Sequence, residues 1–365
     1  VLLLDEPDNH LDMPGKQFLE TLINDYPGAV VLISHDRYLL DACVSHIAEI
    51  EDGRLVAFTG NYTDYIVDKE QRLAKQEELF QIQQRSIRRM EAALKRYQQW
   101  AQFSDKFATR VQSMKARMER VDKIDRPVLE RKRMGLELSG WRGSNQVLEL
   151  IGVSKSFPHP NPLPKGEGTK RQVLNEIDLI IRHNERVGLI GANGAGKSVL
   201  LSLILGSQEP DSGEIKIGPS VKIGYYAQEH ETLDFNQTLI DAVRNAKNIS
   251  ENGAVALLNR YLFTYQQARQ TIGSLSGGER SRLQLLLVVL SNANFLLLDE
   301  PTNNIDIASA EVLENALDDF EGAVLVISHD RYFLDRTVER IVELKDGKLR
   351  GFIGNYSDYV EKSGE

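Results

Sequence analysis

Cysteine is almost missing from this chain: Cys43 is the single one among 365 residues. An internal disulfide is excluded, and so is a zinc site built on cysteines. Long apolar runs are missing too. The most apolar stretches, 283–290 (broken by Gln284) and 295–298, fall far short of the ~20 residues that a membrane-spanning helix needs. No basic segment followed by an apolar one opens the chain, so nothing in it reads as a secretion signal. A cytoplasmic protein without a membrane partner is expected. Glycine and proline are absent from 66–103 and from 106–124, which are rich in Gln, Glu, Lys, Arg, Leu and Met. These two stretches are expected to form long helices, paired as an antiparallel hairpin. Ser104 and Asp105 suit a turn and cap between them, and Pro127 ends the pattern. Residues 134–145, with Gly135, Gly140, Gly143 and Ser144, read as a linker.

Basic charge is scarce except in one place. The net charge is −9, yet 68–133 holds 18 Lys/Arg against 10 Asp/Glu, a local +8 that leaves −17 for the remainder. A basic segment in an acidic protein fits either a polyanion partner or a solvated helical face. Trp100 and Phe103, near the expected hairpin tip, suit either stacking on bases or packing between the two helices.

What the chain has in abundance is self-similarity. Leu2–Pro7, Ser34–Tyr38 and Gly60–Tyr62 recur 294 residues later as Leu296–Pro301, Ser328–Tyr332 and Gly354–Tyr356. Residues 1–65 and 295–359 share 34 identities without a gap. Such a repeat organises the whole reading. The second copy follows about 150 residues of domain, whereas the first opens the chain. The expected division is the C-terminal part of a first domain over 1–65, a basic helical hairpin over 66–145, and a complete second domain over 146–365, in a chain truncated at its N-terminus.

Within that second domain, Gly191–Ser198 reads G-x-x-x-x-G-K-S between an apolar strand, Arg186–Ile190, and an apolar helix, Val199–Leu205. Its glycines let backbone amides close round phosphates, and the helix N-terminus adds a favourable dipole. Lys197 is placed to reach the β- and γ-phosphates and Ser198 to ligate Mg²⁺. Phe295–Glu300 reads as a buried strand ending in two acids, at the strand end where α/β sheets bind ligands. Asp299 suits a Mg²⁺ ligand and Glu300 a base for the attacking water.

Ser274–Glu279, Leu-Ser-Gly-Gly framed by Ser and Glu, resembles the signature of ATP-binding-cassette proteins, whose motifs occur here in the family's order over 147–360. The resemblance implies an α/β phosphate-loop fold: a mainly parallel sheet, a helical subdomain over 236–292, and antiparallel strands near 147–153 and 173–182. It implies ATP and Mg²⁺ as ligands. Gly191, Asn193, Gly194, Gly196, Lys197 and Ser198 would hold the phosphates, with Phe157 stacking on adenine. Ser276, Gly277 and Gly278 would bind the γ-phosphate across an interface. Gln228, Glu300 and His329 would be catalytic; Ser198, Gln228 and Asp299 would bind the metal. Asn303 to Asp306 match the loop that crosses between domains. The Pro-Gly-rich stretch 158–170 reads as an insertion next to Phe157.

Two cassettes flanking a basic helical linker resemble the ABC-F family, as do Asp5–Asp12, Gly60–Tyr65 and Arg110–Arg117. That resemblance implies an ATPase acting on the ribosome through the linker, in translation regulation or in ribosome protection from antibiotics. The alternatives are the ATPase subunit of a membrane transporter and an inactive remnant. Asp8 stands where the family usually has Thr, and Asn304 where it has His. With one phosphate loop and one signature per chain, a head-to-tail homodimer through the cassette domains is also expected.

Overall fold

The computed structural model describes residues 1–9, 11–51, 53–101, 111–112, 134–138, 141, 143–158, 170–228 and 232–363. Outside these residues lie the expected second linker helix (apart from 111–112), Ser104, Asp105, Phe103 and Pro127, and nearly all of the insertion at 158–170. Two compact units are distinguished, Val1–Cys43 with Lys132–Glu365, and Val44–Arg131.

In the larger unit the first repeat contributes β1 (Leu2–Asp5), α1 (Met13–Asn24), β2 (Val30–Ile33) and α2 (Arg37–Cys43). β1 and β2 pair in parallel. Their side chains alternate, as a sheet buried on one face requires. Leu4, Val30 and Leu32 pack on Leu19, Ile23 and Leu39 of the two helices. Leu3, Val31 and Ile33 point the other way and are exposed.

In the smaller unit β3 (His46–Glu51) and β4 (Arg54–Thr59) form an antiparallel hairpin. α3 then runs from Tyr62 to Ala101 over 40 residues. Over 66–101 the expected helix is therefore present, and it begins four residues earlier, because Gly60–Asn61 builds its start. Asn61 Oδ1 accepts from the amide of Asp64 at 3.0 Å, and Gly60 takes a left-handed φ of 130°.

The second repeat and its preceding residues form the rest of the larger unit. β5 (Gln146–Pro158), β6 (Lys170–Arg182) and, later, β8 (Ser212–Ile217) make an antiparallel sheet in the order β6-β5-β8. β7 (Arg186–Ile190) leads through the glycine-rich loop into α4 (Lys197–Ile204). After β9 (Ile223–Tyr226) come four helices: α5 (Leu239–Ala246), α6 (Glu251–Arg260), α7 (Tyr265–Ala268) and α8 (Gly277–Leu290). These four occupy the stretch expected to be helical. Then follow β10 (Phe295–Asp299), α9 (Ile307–Asp318), β11 (Ala323–Ile327), α10 (Arg331–Thr337), β12 (Arg340–Lys345), β13 (Lys348–Ile353) and α11 (Tyr356–Ser363).

The central sheet has the order β13-β12-β7-β11-β10-β9, parallel except for the β12–β13 hairpin. β10 and β11 are buried on both faces, which explains their unbroken apolar runs. Leu296, Leu298, Val324 and Val326 face one core, with the helices of 239–290. Phe295, Leu297, Leu325 and Ile327 face the other, with α4 and the antiparallel sheet.

The two copies agree down to ring geometry. Phe58 meets Tyr65, and Phe352 meets Tyr359, edge-on with centroids 5.0 Å apart in both.

Candidate functional site

The loop between β7 and α4 needs glycine for steric reasons. At Gly191, φ 153°, an added Cβ would sit 2.5 Å from the carbonyl oxygen of Leu344. At Gly196, φ 109°, it would strike the side chain of Val173 at 2.6 Å. Gly196 is the N-cap residue of α4, and no side chain caps the helix there. The helix's first amides are thus left facing the loop, an anion-binding arrangement. α4 begins at Lys197, two residues ahead of the apolar run at 199–205, because Lys197 and Ser198 form its first turn. Lys197 Nζ bends back onto the loop, donating to the carbonyls of Gly191 at 2.6 Å and Ala192 at 3.2 Å. Burial holds its pKa below the usual lysine value.

β10 and β11 deliver the acids and the histidine. Glu300 follows β10 in a left-handed conformation, φ 50°, as does Glu6 at the matching position of the first repeat, φ 44°. The Glu300 carboxylate accepts from the amide of His329 at 3.1 Å, and its other oxygen lies 3.4 Å from His329 Nε2. Burial pushes the Glu300 pKa up to about 8. It pushes that of His329 down to about 4, helped by the nearby ammonium of Lys197 3.3 Å from the ring. His329 is therefore neutral near pH 7. Its Nδ1 is buried without a hydrogen-bond partner.

These groups surround a cavity of about 460 Å³. Of the residues singled out in the sequence, Phe157, Asn193, Gly194, Gly196, Lys197, Ser198, Gln228, Asp299, Glu300 and His329 line it. Gly191 lies behind the loop and lines the adjoining hollow instead. Ser276, Gly277 and Gly278 are not brought to this cavity. They start α8, where Ser276 and Glu279 form a reciprocal cap: Ser276 Oγ accepts from the Glu279 amide, and the Glu279 carboxylate accepts from the Ser276 amide at 2.8 Å.

The sequence reading missed the contribution of the first repeat. Asp8, Leu11 and Lys16 line the same cavity. Asp12 caps α1 through one oxygen, accepting from the Gly15 amide at 3.1 Å, and with the other accepts from the phosphate-loop amide of Asn193, also at 3.1 Å. Asp306 caps α9 in the same way. The repeat made that equivalence visible, but which copy meets the phosphate loop is decided only by packing.

The packing has a local two-fold logic. Arg37 of α2 pairs with the wholly buried Glu314 of α9, and Arg331 of α10 pairs with Glu20 of α1 at 2.7 Å. The Arg37 guanidinium lies over the Tyr332 ring at 3.9 Å, and that of Arg331 over Tyr38 at 5.0 Å. Each contact is the other shifted by 294 residues, so α2 and α10 meet as copies of one another.

The donor set fits a phosphate chain with a hard divalent cation. Backbone amides and Lys197 face the loop, while Ser198, Gln228 and Asp299 offer hydroxyl, amide and carboxylate oxygens. Among the described residues no helix is long and apolar enough to cross a membrane.

Residues 174–303 match the family model described as ABC transporter, and 48–137 match a second model with the same description. The whole chain is 36% identical to YfmR of Bacillus subtilis, an uncharacterized ABC transporter ATP-binding protein, covering 56% of it. It is also similar to the energy-dependent translational throttle protein EttA of Haemophilus influenzae and of Escherichia coli K12. Each is 36% identical over 99% of this chain, which spans 63% of either relative. The chain thus covers a little over half the length of the curated relatives it matches.

Proposed function

Since the chain belongs to the ATP-binding-cassette proteins, in their ABC-F family, we propose that it binds Mg²⁺–ATP at the Lys197 cavity and hydrolyses it to drive an action on the ribosome in translation. The observation that carries the nucleotide part is the composition of the cavity: phosphate-loop amides, a buried lysine, the acids Asp299 and Glu300, and His329 around one space. Ser198, Gln228 and Asp299 would hold Mg²⁺, which would neutralise phosphate charge there. Lys197 exchanges its two loop carbonyls for phosphate oxygens. Glu300 orients the attacking water and, once ionised, takes its proton. His329, neutral and with its Nδ1 unpartnered, holds the γ-phosphate side of the site through its ring.

The cavity is walled by both repeats, so nucleotide and repeat packing are coupled. ATP would tighten the contact at Asp8–Lys16, and loss of the γ-phosphate would loosen it. A second copy arriving head to tail, with Ser276–Gly278 at this cavity, would need the face that residues 8–16 cover. The two arrangements are alternatives, and light scattering with and without ATP separates them.

The ribosomal part is supported by the +8 balance over 68–133 and by the likeness to proteins named translational throttles. Basic residues on a long helix neutralise RNA phosphates and release counterions. Co-sedimentation tests it. The chain should pellet with ribosomes, more completely with ATP and the Glu300→Gln change, and not with membrane vesicles. Replacing Arg88, Arg89, Lys95 and Arg96 with Gln should weaken the ribosome interaction and flatten its salt dependence while nucleotide binding stays unchanged. Pelleting with vesicles instead would favour a transporter subunit, and ribosome binding unaffected by those four changes would make α3 a spacer.

A further inference from the structure

The two repeats differ in charge beside the motif where they are most alike. Thr302 and Ala310 of the second copy correspond to Asp8 and Lys16 of the first. Both charged residues are buried, each 8% exposed. Buried charges persist only with partners. Asp8 Oδ1 accepts from Ser34 Oγ at 2.7 Å, and Lys16 Nζ donates to Asp36 Oδ2 at 2.7 Å. Asp36 has its own task, accepting with Oδ1 from the amides of Tyr38 and Leu39 at the start of α2. Its counterpart Asp330 caps α10 in the same way at 2.9 Å, and position 310 offers it only a methyl group. The cap does not require the lysine.

What Lys16 does have is a place in the wall of the cavity that holds Lys197, Glu300 and His329. An ammonium has three donors, and Asp36 takes one. We propose that Lys16 is a second cation for the terminal phosphate of a nucleoside triphosphate, supplied by the first repeat to the phosphate loop of the second, and that it makes the site distinguish triphosphate from diphosphate. This rests on the reading of the cavity as the ATP site. Lys197 reaches the phosphates from the loop's own helix, so it serves both nucleotides. Lys16 reaches them from α1 of the other repeat, and serves only the nucleotide whose chain extends that far. Asp36 keeps the ammonium paired until the phosphate arrives.

The test is equilibrium binding of ADP and of a non-hydrolysable ATP analogue, each with Mg²⁺, to the full chain. Lys16→Ala installs the residue of the second repeat. It should weaken the triphosphate about tenfold, as loss of one charge-assisted hydrogen bond does, and leave ADP within about twofold. Lys16→Ala leaves Asp36 buried without its cation, so the double change Lys16→Met with Asp36→Asn is measured alongside. Its amide oxygen still accepts from Tyr38 and Leu39, and the same selective loss is expected. Lys16→Arg should keep the preference for triphosphate. Equal loss of both nucleotides, or no loss, in the double variant overturns the proposal and leaves Lys16 a counter-ion for Asp36. Lys197→Ala separates the two levels: loss of both nucleotides there upholds the cavity as the ATP site whatever Lys16 does. An unaltered chain that binds neither nucleotide overturns both.

Discussion

Glu300→Gln has a consequence that can be read without any nucleotide. Burial pushes the Glu300 carboxyl up to about 8, whereas a glutamate in the unfolded chain titrates near ~4.3. Between those values the folded chain keeps a proton that the unfolded chain has released, so stability falls as pH rises, by about 1.4 kcal/mol per pH unit, and levels off above about 8. His329 acts in the opposite sense. Its pKa is held down to about 4, so its contribution is lost as pH falls from about 6.5 toward 4. The two nearly cancel below pH 6.5. From there to pH 8 Glu300 acts alone, over about one and a half pH units, which amounts to about 2 kcal/mol, or roughly 5 °C in Tm for a unit of this size. The Gln side chain still offers an oxygen to the His329 amide, so the local fold is kept. Scanning fluorimetry of both proteins without nucleotide, from pH 6.5 to 9, should show the variant gaining on the parent up to about pH 8 and no further. A Tm difference that does not change with pH would mean that Glu300 is already ionised at pH 6.5, and that burial does not govern its charge.

Other outcomes follow from the same geometry. Lys197→Ala should abolish ATP binding, because it removes the cation that faces the phosphate loop; unchanged affinity in a fluorescent-nucleotide titration would refute this. Glu300→Gln should keep nucleotide binding but slow turnover by at least about a hundredfold, measured as phosphate release, since an amide cannot take up a proton. Arg37→Ala should destabilise the larger unit by about 3–5 kcal/mol in urea denaturation, because it leaves the wholly buried Glu314 with one cation fewer. Arg331→Ala should cost less, since Glu20 is 21% exposed at its side chain and water replaces the arginine.

Much of the site was legible because its residues are set by local sterics. A strand of apolar residues, a glycine loop and a Lys-Ser pair occupy consecutive positions, and backbone geometry alone forces their arrangement. The burial of β10 was legible in its unbroken apolar run, 295–298. Asp12 and Lys16 were not. Each has an innocent local explanation, one as a helix cap and the other as a lysine on a helix. Their roles depend on Asn193 and Asp36, 181 and 20 residues away. The signature segment shows the converse. Ser276 and Glu279 have the spacing of a capping box, and within this unit that is what they form.

The reciprocal pairing of Arg37 with Glu314 and Tyr332, and of Arg331 with Glu20 and Tyr38, has the form of a homodimer contact enclosed in one polypeptide. In a true homodimer every substitution appears twice, once on each side of the axis. An acid introduced near one nucleotide would be introduced near the other as well, and both sites would bear the cost together. Fusion into a single gene product removes that restriction. The symmetric clasp can be preserved as a shared pivot while the surfaces a few residues away drift independently. The unequal pairs Asp8/Thr302 and Lys16/Ala310 are what such freedom allows: charges beside one half of the clasp that have no counterpart beside the other.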